Sequence, residues 1–399
     1  MNETVGAVNA LTARWARQTR QGTVFSAAGV WPLLAFLADG AAGPARDELT
    51  RAVGRQADQA AAGARELLTG LDSMPGVGSA LGLWTDRALE LREQWAAGLP
   101  ADAHGVLGAD PEASREALDA WAAKRTEGLV ERLPVRLAEG ARMVLATALA
   151  LRTDWQHPFR ETVLRPGSGP WQGRDLAGLH RSSVRPDRIG VTAGPDGPVT
   201  TLKVLGHNGL DVHLLLGAEG MAPGEVLHTG IGVLERALPV TTGGQLPYGP
   251  AGPGVVVERQ PSVAPDPIRL DVTTPGFTVR ADHDLLQLHG LFGLSTAADA
   301  RGGHFPGISA APLAVGAAGQ SAVAEFGPLG FRAAAVTAVV AAPGGGPPQY
   351  RYESTVVRAA LDRPFGFLAV HRESRLVLVA GWVTEPAVAG RPEYHGAPS

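Results

Sequence analysis

Residues 320–367 read QSAVAEFGPLGFRAAAVTAVVAAPGGGPPQYRYESTVVRAALDRPFGF, and the fold turns on this stretch. A β-compatible segment runs through Ala333, Ala334, Ala335, Val336, Thr337, Ala338, Val339 and Val340 into Pro343-Gly344-Gly345-Gly346-Pro347-Pro348, and a second apolar strand follows. Small and β-branched side chains suit extended chain, whereas a Gly/Pro tract suits neither a helix nor a strand interior. The segment is therefore a strand tethered to a loose loop. It is either a linker or a strand able to add itself to a sheet.

Beyond it, residues 365–371 and 376–382 predict a hydrophobic hairpin across Arg372-Glu373-Ser374. Before it, the first part of the chain is helix-rich. The pattern predicts helices over 3–19, 27–38, 45–53, 55–71 and 114–127, with Ser26 as the N-cap of the second and Pro44 opening the third. Short strands are expected at 23–25, 79–84 and 88–91, and the apolar run 142–155 suits a strand buried on both faces. Strand signals then dominate, at 200–205, 210–216, 255–258 and 268–272, with a short helix at 285–292. Helices early and antiparallel strands late, without βαβ alternation, predict an α+β fold.

Composition narrows the function. The 399 residues are 45% hydrophobic and 19% charged, a globular balance. With 35 basic and 39 acidic residues the net charge is −4, so no nucleic-acid footprint is expected. Lys124 and Lys203 are the only lysines, an Arg bias that matches the abundance of Ala, Gly and Pro. The longest apolar run, 27–38, holds Pro32 and is too short to cross a bilayer, so no membrane partner is expected. The first residues show no apolar export segment, which predicts a cytoplasmic protein.

Catalytic chemistry is missing from the motifs. There is no cysteine, which excludes disulfides and thiol catalysis. The eleven histidines show no HExxH-like spacing, so no metal or other cofactor is expected. No GxSxG elbow and no GxxxxGK[ST] loop occurs, and Gly76-Val77-Gly78-Ser79-Ala80-Leu81-Gly82 has the wrong spacing for a dinucleotide loop. An enzyme is not expected.

Three collinear blocks, 23–54, 117–159 and 268–386, cover about half the chain and resemble the serpin family. The first is TVFSAAGVWPLLAFLADGAAGPARDELTRAVG. In the second, Trp121, Thr126, Gly128, Trp155, Pro158 and Phe159 stand at matching places. The third holds the opening stretch and DRPFGFLAVHRESRLVLVAGWVTEP. The resemblance implies a single serpin domain over 1–399, of bacterial type and monomeric, with a reactive loop at about 330–358. It also implies inhibition of a serine protease, or second a cysteine protease, by loop cleavage and insertion into a sheet. By analogy with the family an extracellular location is the alternative to the cytoplasm. A non-inhibitory binding protein on the same fold is the alternative function.

The resemblance places the loop hinge at Gly330, Phe331, Arg332, Ala333, Ala334, Ala335, Val336 and Thr337. Phe331, Ala333, Ala335, Thr337 and Val339 then share the face that enters the sheet. Phe331 is bulky where the family carries a small residue, so it is expected to slow the first step. The loop is also long. Counting from the hinge puts the scissile residue near Gly344, whereas counting back from Pro364 puts it near Glu353, beside Arg351, which suits a trypsin-like pocket. Ser26, Thr147, Trp155 and Gln320 fall in the region where the sheet opens. There Gly29 replaces a family serine, and Ser26, Thr147 and Gln320 are expected to form a hydrogen-bonded cluster.

Overall fold

A computed structural model describes residues 2–100, 103–135, 137, 142–299, 301–331 and 351–390. In chain order its elements are α1 (Asn2–Ala16), β1 (Thr23–Phe25), α2 (Ala27–Gly40), α3 (Gly43–Val53), α4 (Ala57–Ser73), β2 (Val77–Asp86), α5 (Glu93–Ala96), β3 (His104–Leu107), α6 (Pro111–Arg125), β4 (Met143–Leu151), β5 (Thr153–Asp154), β6 (Arg160–Leu164) and β7 (Leu176–Ser183). There follow β8 (Ile189–Gly194), β9 (Gly197–Leu205), β10 (Leu210–Gly217), α7 (Pro223–Leu234), β11 (Thr241–Thr242), β12 (Gly249–Gly252), β13 (Val255–Ser262), β14 (Arg269–Pro275) and β15 (Phe277–Asp284). The last are α8 (His289–Phe292), β16 (Ala317–Phe326), β17 (Gly330–Phe331), β18 (Tyr352–Ala360), β19 (Phe365–His371) and β20 (Val377–Val383).

Among the described residues the strands form three sheets. The first runs β3-β2-β4-β16-β17-β5, with β15 also paired to β16. The second runs β12-β13-β18-β14-β7-β6, and the third β1-β20-β19-β10-β9-β8-β11. The expected terminal hairpin is β19–β20, in the middle of the third sheet.

Helix α2 lies at the heart of this layering. It is apolar all round, nearly every residue is buried, and Ser26 caps it by accepting a bond from the Gly29 amide. β4 is buried along its whole length, as expected of a strand covered on both faces.

Some elements depart from expectation. Residues 88–91 form no strand, because the Asp86 carboxylate accepts from the Ala88 amide and closes a turn; Leu91 makes one isolated bridge to Ser309. The helix expected at 285–292 shrinks to α8, since Asp284 ties the Leu286 amide into a turn. α7 arises where strands were expected to dominate. It packs on β10 and β19, and a Cβ at its Gly230 would meet Leu215 Cδ1 at 2.3 Å, so close packing accounts for that glycine.

Candidate functional site

The site is a seam in the first sheet with the two-residue strand β17 at its open end. β4 and β16 lie side by side and parallel, paired from Ala317 with Val144 to Ala322 with Leu149. Past that point they part, and β17 fills the gap: Phe331 pairs with Phe326 of β16 and Thr153 of β5, and Gly330 with Asp154. β17 is antiparallel to both neighbours. Only glycine fits at 330, where a Cβ would stand 2.3 Å from the Thr153 carbonyl oxygen.

Phe331 is already inside. It is 2% exposed, and its ring lies 6.2 Å from that of Phe367, which continues through Phe277 (5.1 Å) to Phe326 (5.4 Å, stacked). The steric obstacle expected of this ring is therefore behind it in the sheet and not ahead of it. The turn 327–329 that leads to it is clasped by Trp155, whose indole Nε1 donates to the Gly327 carbonyl at 2.9 Å and whose amide donates to the Leu329 carbonyl at 2.8 Å. The Phe159 amide donates to the Pro328 carbonyl, and the Trp155 ring packs at 4.9 Å on Phe326.

Lower in the seam, Gln320 and Thr147 face each other in register. Gln320 Nε2 donates to Thr147 Oγ1 (3.1 Å) and to the Ser26 carbonyl (2.8 Å), while its Oε1 accepts from the Ser26 amide (2.8 Å). Ser26 Oγ in turn donates to the Leu378 carbonyl. The structure thus brings Ser26, Thr147 and Gln320 together, with Gln320 fully buried and all its bonds made inside. Gly29 leaves the room for this cluster, since a Cβ there would sit 2.8 Å from Thr147 Oγ1.

The other root of the loop is β18. It pairs antiparallel with β13 from Ser262–Tyr352 to Val255–Ala359, and parallel with β14 from Val356 to Ala360. Glu353, the site counted back from Pro364, is opposite Pro261 in this ladder and ion-paired to Arg259 at 3.4 Å. The ladder holds Glu353 within the second sheet. Arg351 stands at the mouth of the strand, its amide bonded to the Ser262 carbonyl at 3.0 Å. Arg332, Ala333, Ala334, Ala335, Val336, Thr337 and Gly344 lie outside the described residues. So does the middle of the expected 330–358 loop, whose last part is strand β18.

The β12–β13 hairpin beside β18 was missed as a pair. Its signal was present in Val255 and Val257 after the Gly252-Pro253-Gly254 turn, but the partner strand is Gly-rich. Tyr248 and Arg259 decorate it, the guanidinium 4.9 Å from the ring centre, with Tyr248 Oη 2.9 Å from Thr355 Oγ1. These groups lower the Tyr248 pKa, first through the Thr355 hydrogen bond and then through Arg259. Among the described residues no three His, Asp or Glu side chains cluster to hold a metal, and no helix is long and apolar enough to cross a membrane.

Known proteins show the same architecture. The family model described as "Serpin (serine protease inhibitor)" matches residues 7–167. Rice (Oryza sativa subsp. japonica) serpin-Z6A is 32% identical over 151 residues, and rice serpin-Z2A 28% identical over 166. Those segments are 35% and 37% of this chain, and the chain spans only 38% of the length of either rice protein. These relatives are plant proteins and lend no support to the bacterial-type assignment. Thyroxine-binding globulin in complex with thyroxine superposes with a TM-score of 0.70 at 17% identity, covering 96% of this chain and 99% of that one. A serpin from the trematode Schistosoma haematobium gives 0.69 at 14% identity, over 97% and 100%. With the sheet seam and the matching N-terminal model together, the chain has the serpin fold, and its residues 7–167 are similar to the serpin family.

Proposed function

We propose that this chain inhibits a serine-type endopeptidase as a suicide substrate, its loop being cleaved and then inserted along the β4–β16 seam. One observation carries this reading: β17 already lies antiparallel to both β16 and β5 at the open end of the seam. Residues that follow Phe331 in the same direction would exchange one parallel pairing for two antiparallel ones. Each new backbone bond contributes on the order of 1 kcal/mol net. Phe331 faces inward, so on insertion strand alternation would send Ala333, Ala335, Thr337 and Val339 in after it and turn Arg332 and Ala334 out.

In this reading the protease serine attacks a carbonyl of the segment between Phe331 and Tyr352, and the new amine end leaves with β18. The N-terminal side, now an ester on the protease, is released to move. Insertion breaks the Gln320–Thr147 bond across the seam, and the two new ladders offset that loss. The scissile bond lies before Glu353, which β13 holds.

A second reading is a serpin-fold binding protein. The buried Phe331 and the strand-bound Glu353 favour it, as does the likeness to a thyroxine-binding globulin. Incubation with trypsin-like, subtilisin-like and elastase-like proteases separates the two. A covalent complex that survives SDS, with a large rise in Tm after loop cleavage, is expected for the inhibitor. Cleaved chain alone across the panel, with Tm unmoved, supports the binding protein.

A further inference from the structure

We propose that the cleft between the 156–160 segment, β7 and β9 binds a small oxyanion carrying two or more charges, of the phosphate or sulfate class. The cleft has a volume of about 500 Å³ and is lined by His157, Arg160, Arg181 and Arg185; an adjoining cavity of about 70 Å³ shares His157, Arg181 and Arg185 and adds Arg188 and Lys203. A volume of that size suits a small ligand and not an extended polymer.

The charges in it are unbalanced. Arg181 is mostly buried, its guanidinium 4.4 Å from the Phe159 ring centre, and it donates to the His157 carbonyl at 2.8 Å. No carboxylate lies within ion-pair distance of Arg181 or Lys203 among the described residues. Of the carboxylates nearby, Asp271 and Asp211 are engaged elsewhere, while Asp187 partly balances Arg185 and Arg188. Asp187 takes Arg185 at 2.9 Å and Arg188 at 3.7 Å, Asp271 takes Ser182 and Arg269, and Asp211 takes Arg372. Burial, and then Arg188, push the Arg181 pKa down to about 10, a cost that an anion between them would remove. Guanidinium forks match tetrahedral oxyanions, and Arg181 and Lys203, left without a carboxylate, favour a ligand with a second negative charge.

The cleft shares its wall with the loop root. Its 156–159 segment follows Trp155 and ends at Phe159, the residues whose amides hold the Leu329 and Pro328 carbonyls. An anion that fixes His157 and Arg181 therefore stiffens the clasp on the hinge turn. The binding itself does not depend on the inhibitor reading, so loss of one leaves the other standing.

The test is calorimetric titration of the full chain at low salt with pyrophosphate and, in a separate arm, a sulfated disaccharide, with hydrogen exchange at 155–159 and 329. Saturable binding is expected, weakened at least about tenfold by Lys203→Gln or Arg188→Gln and tightened by Asp187→Asn, with slowed exchange. The arm that binds more tightly identifies the source as free phosphate or a sulfated sugar. No saturable binding in either arm, or binding that all three substitutions leave unchanged, overturns the site. Binding with unaltered exchange overturns the coupling to the hinge.

Discussion

The two roots of the loop are built in opposite ways. At its N-terminal end, β17 is only Gly330 and Phe331, held by a few backbone pairs and one aromatic side chain in the core. At its C-terminal end, β18 runs nine residues and is flanked by β13 along nearly all of them and by β14 over half. One root relies on a few backbone pairs and a single buried side chain, and the other on a long ladder. On the proposed reading, the change of state falls at Phe331 and Tyr352–Ala360 stays fixed.

The contrast is broken most directly by Phe331→Ala, which is expected to cost about 3–5 kcal/mol in chemical denaturation and to speed amide exchange at 326–331 but not at 352–360. A loss under about 1 kcal/mol would remove the ring from its anchoring role. A change remote from both roots should leave the contrast intact. Burial, reinforced by Lys203 and opposed by Asp211, holds the His213 pKa down at about 4. The unfolded chain binds that proton near pH 6.5, so stability falls as pH drops from 6.5 and levels off below 4, by about 3 kcal/mol at most. His213→Gln should flatten that slope, read from urea melts at pH 7, 5.5 and 4, without altering exchange at either root.

Gln320→Ala acts on the seam between the roots. It strands the buried Ser26 amide and carbonyl and is expected to cost about 2–3 kcal/mol, whereas Thr147→Val, which removes one partner, should cost about half as much. The smallest effect belongs to the C-terminal root. Arg259→Ala removes an exposed ion pair with Glu353 and should change Tm stability by under about 1 kcal/mol, since the backbone ladder remains. A larger loss would mean that side chains and not the ladder hold β18.

Much of this was legible in the sequence. The long apolar run of β4, the Ser26 cap and the terminal hairpin are local patterns, and the polar trio Ser26, Thr147 and Gln320 stood at positions set by a collinear resemblance. What was not legible depends on distant partners. Phe331 is an obstacle on sequence grounds because its partners in the fold, Thr153 and Phe367, are distant in the chain. The two counts of the scissile bond disagreed because β18 is long, and its length is set by β13, about a hundred residues earlier. α7 was hidden by Gly230 and Gly232 among β-branched neighbours, and its helical state comes from packing on β10 and β19.

The pairing of β18 with β13 also has a mechanical meaning. A pull along the loop loads β18 parallel to its ladders, so its bonds must fail together in shear, whereas β17 offers two residues that can peel one pair at a time. Force applied by a bound partner would therefore travel to the Gly330–Phe331 end, and the second sheet would serve as the fixed mount against which that end moves.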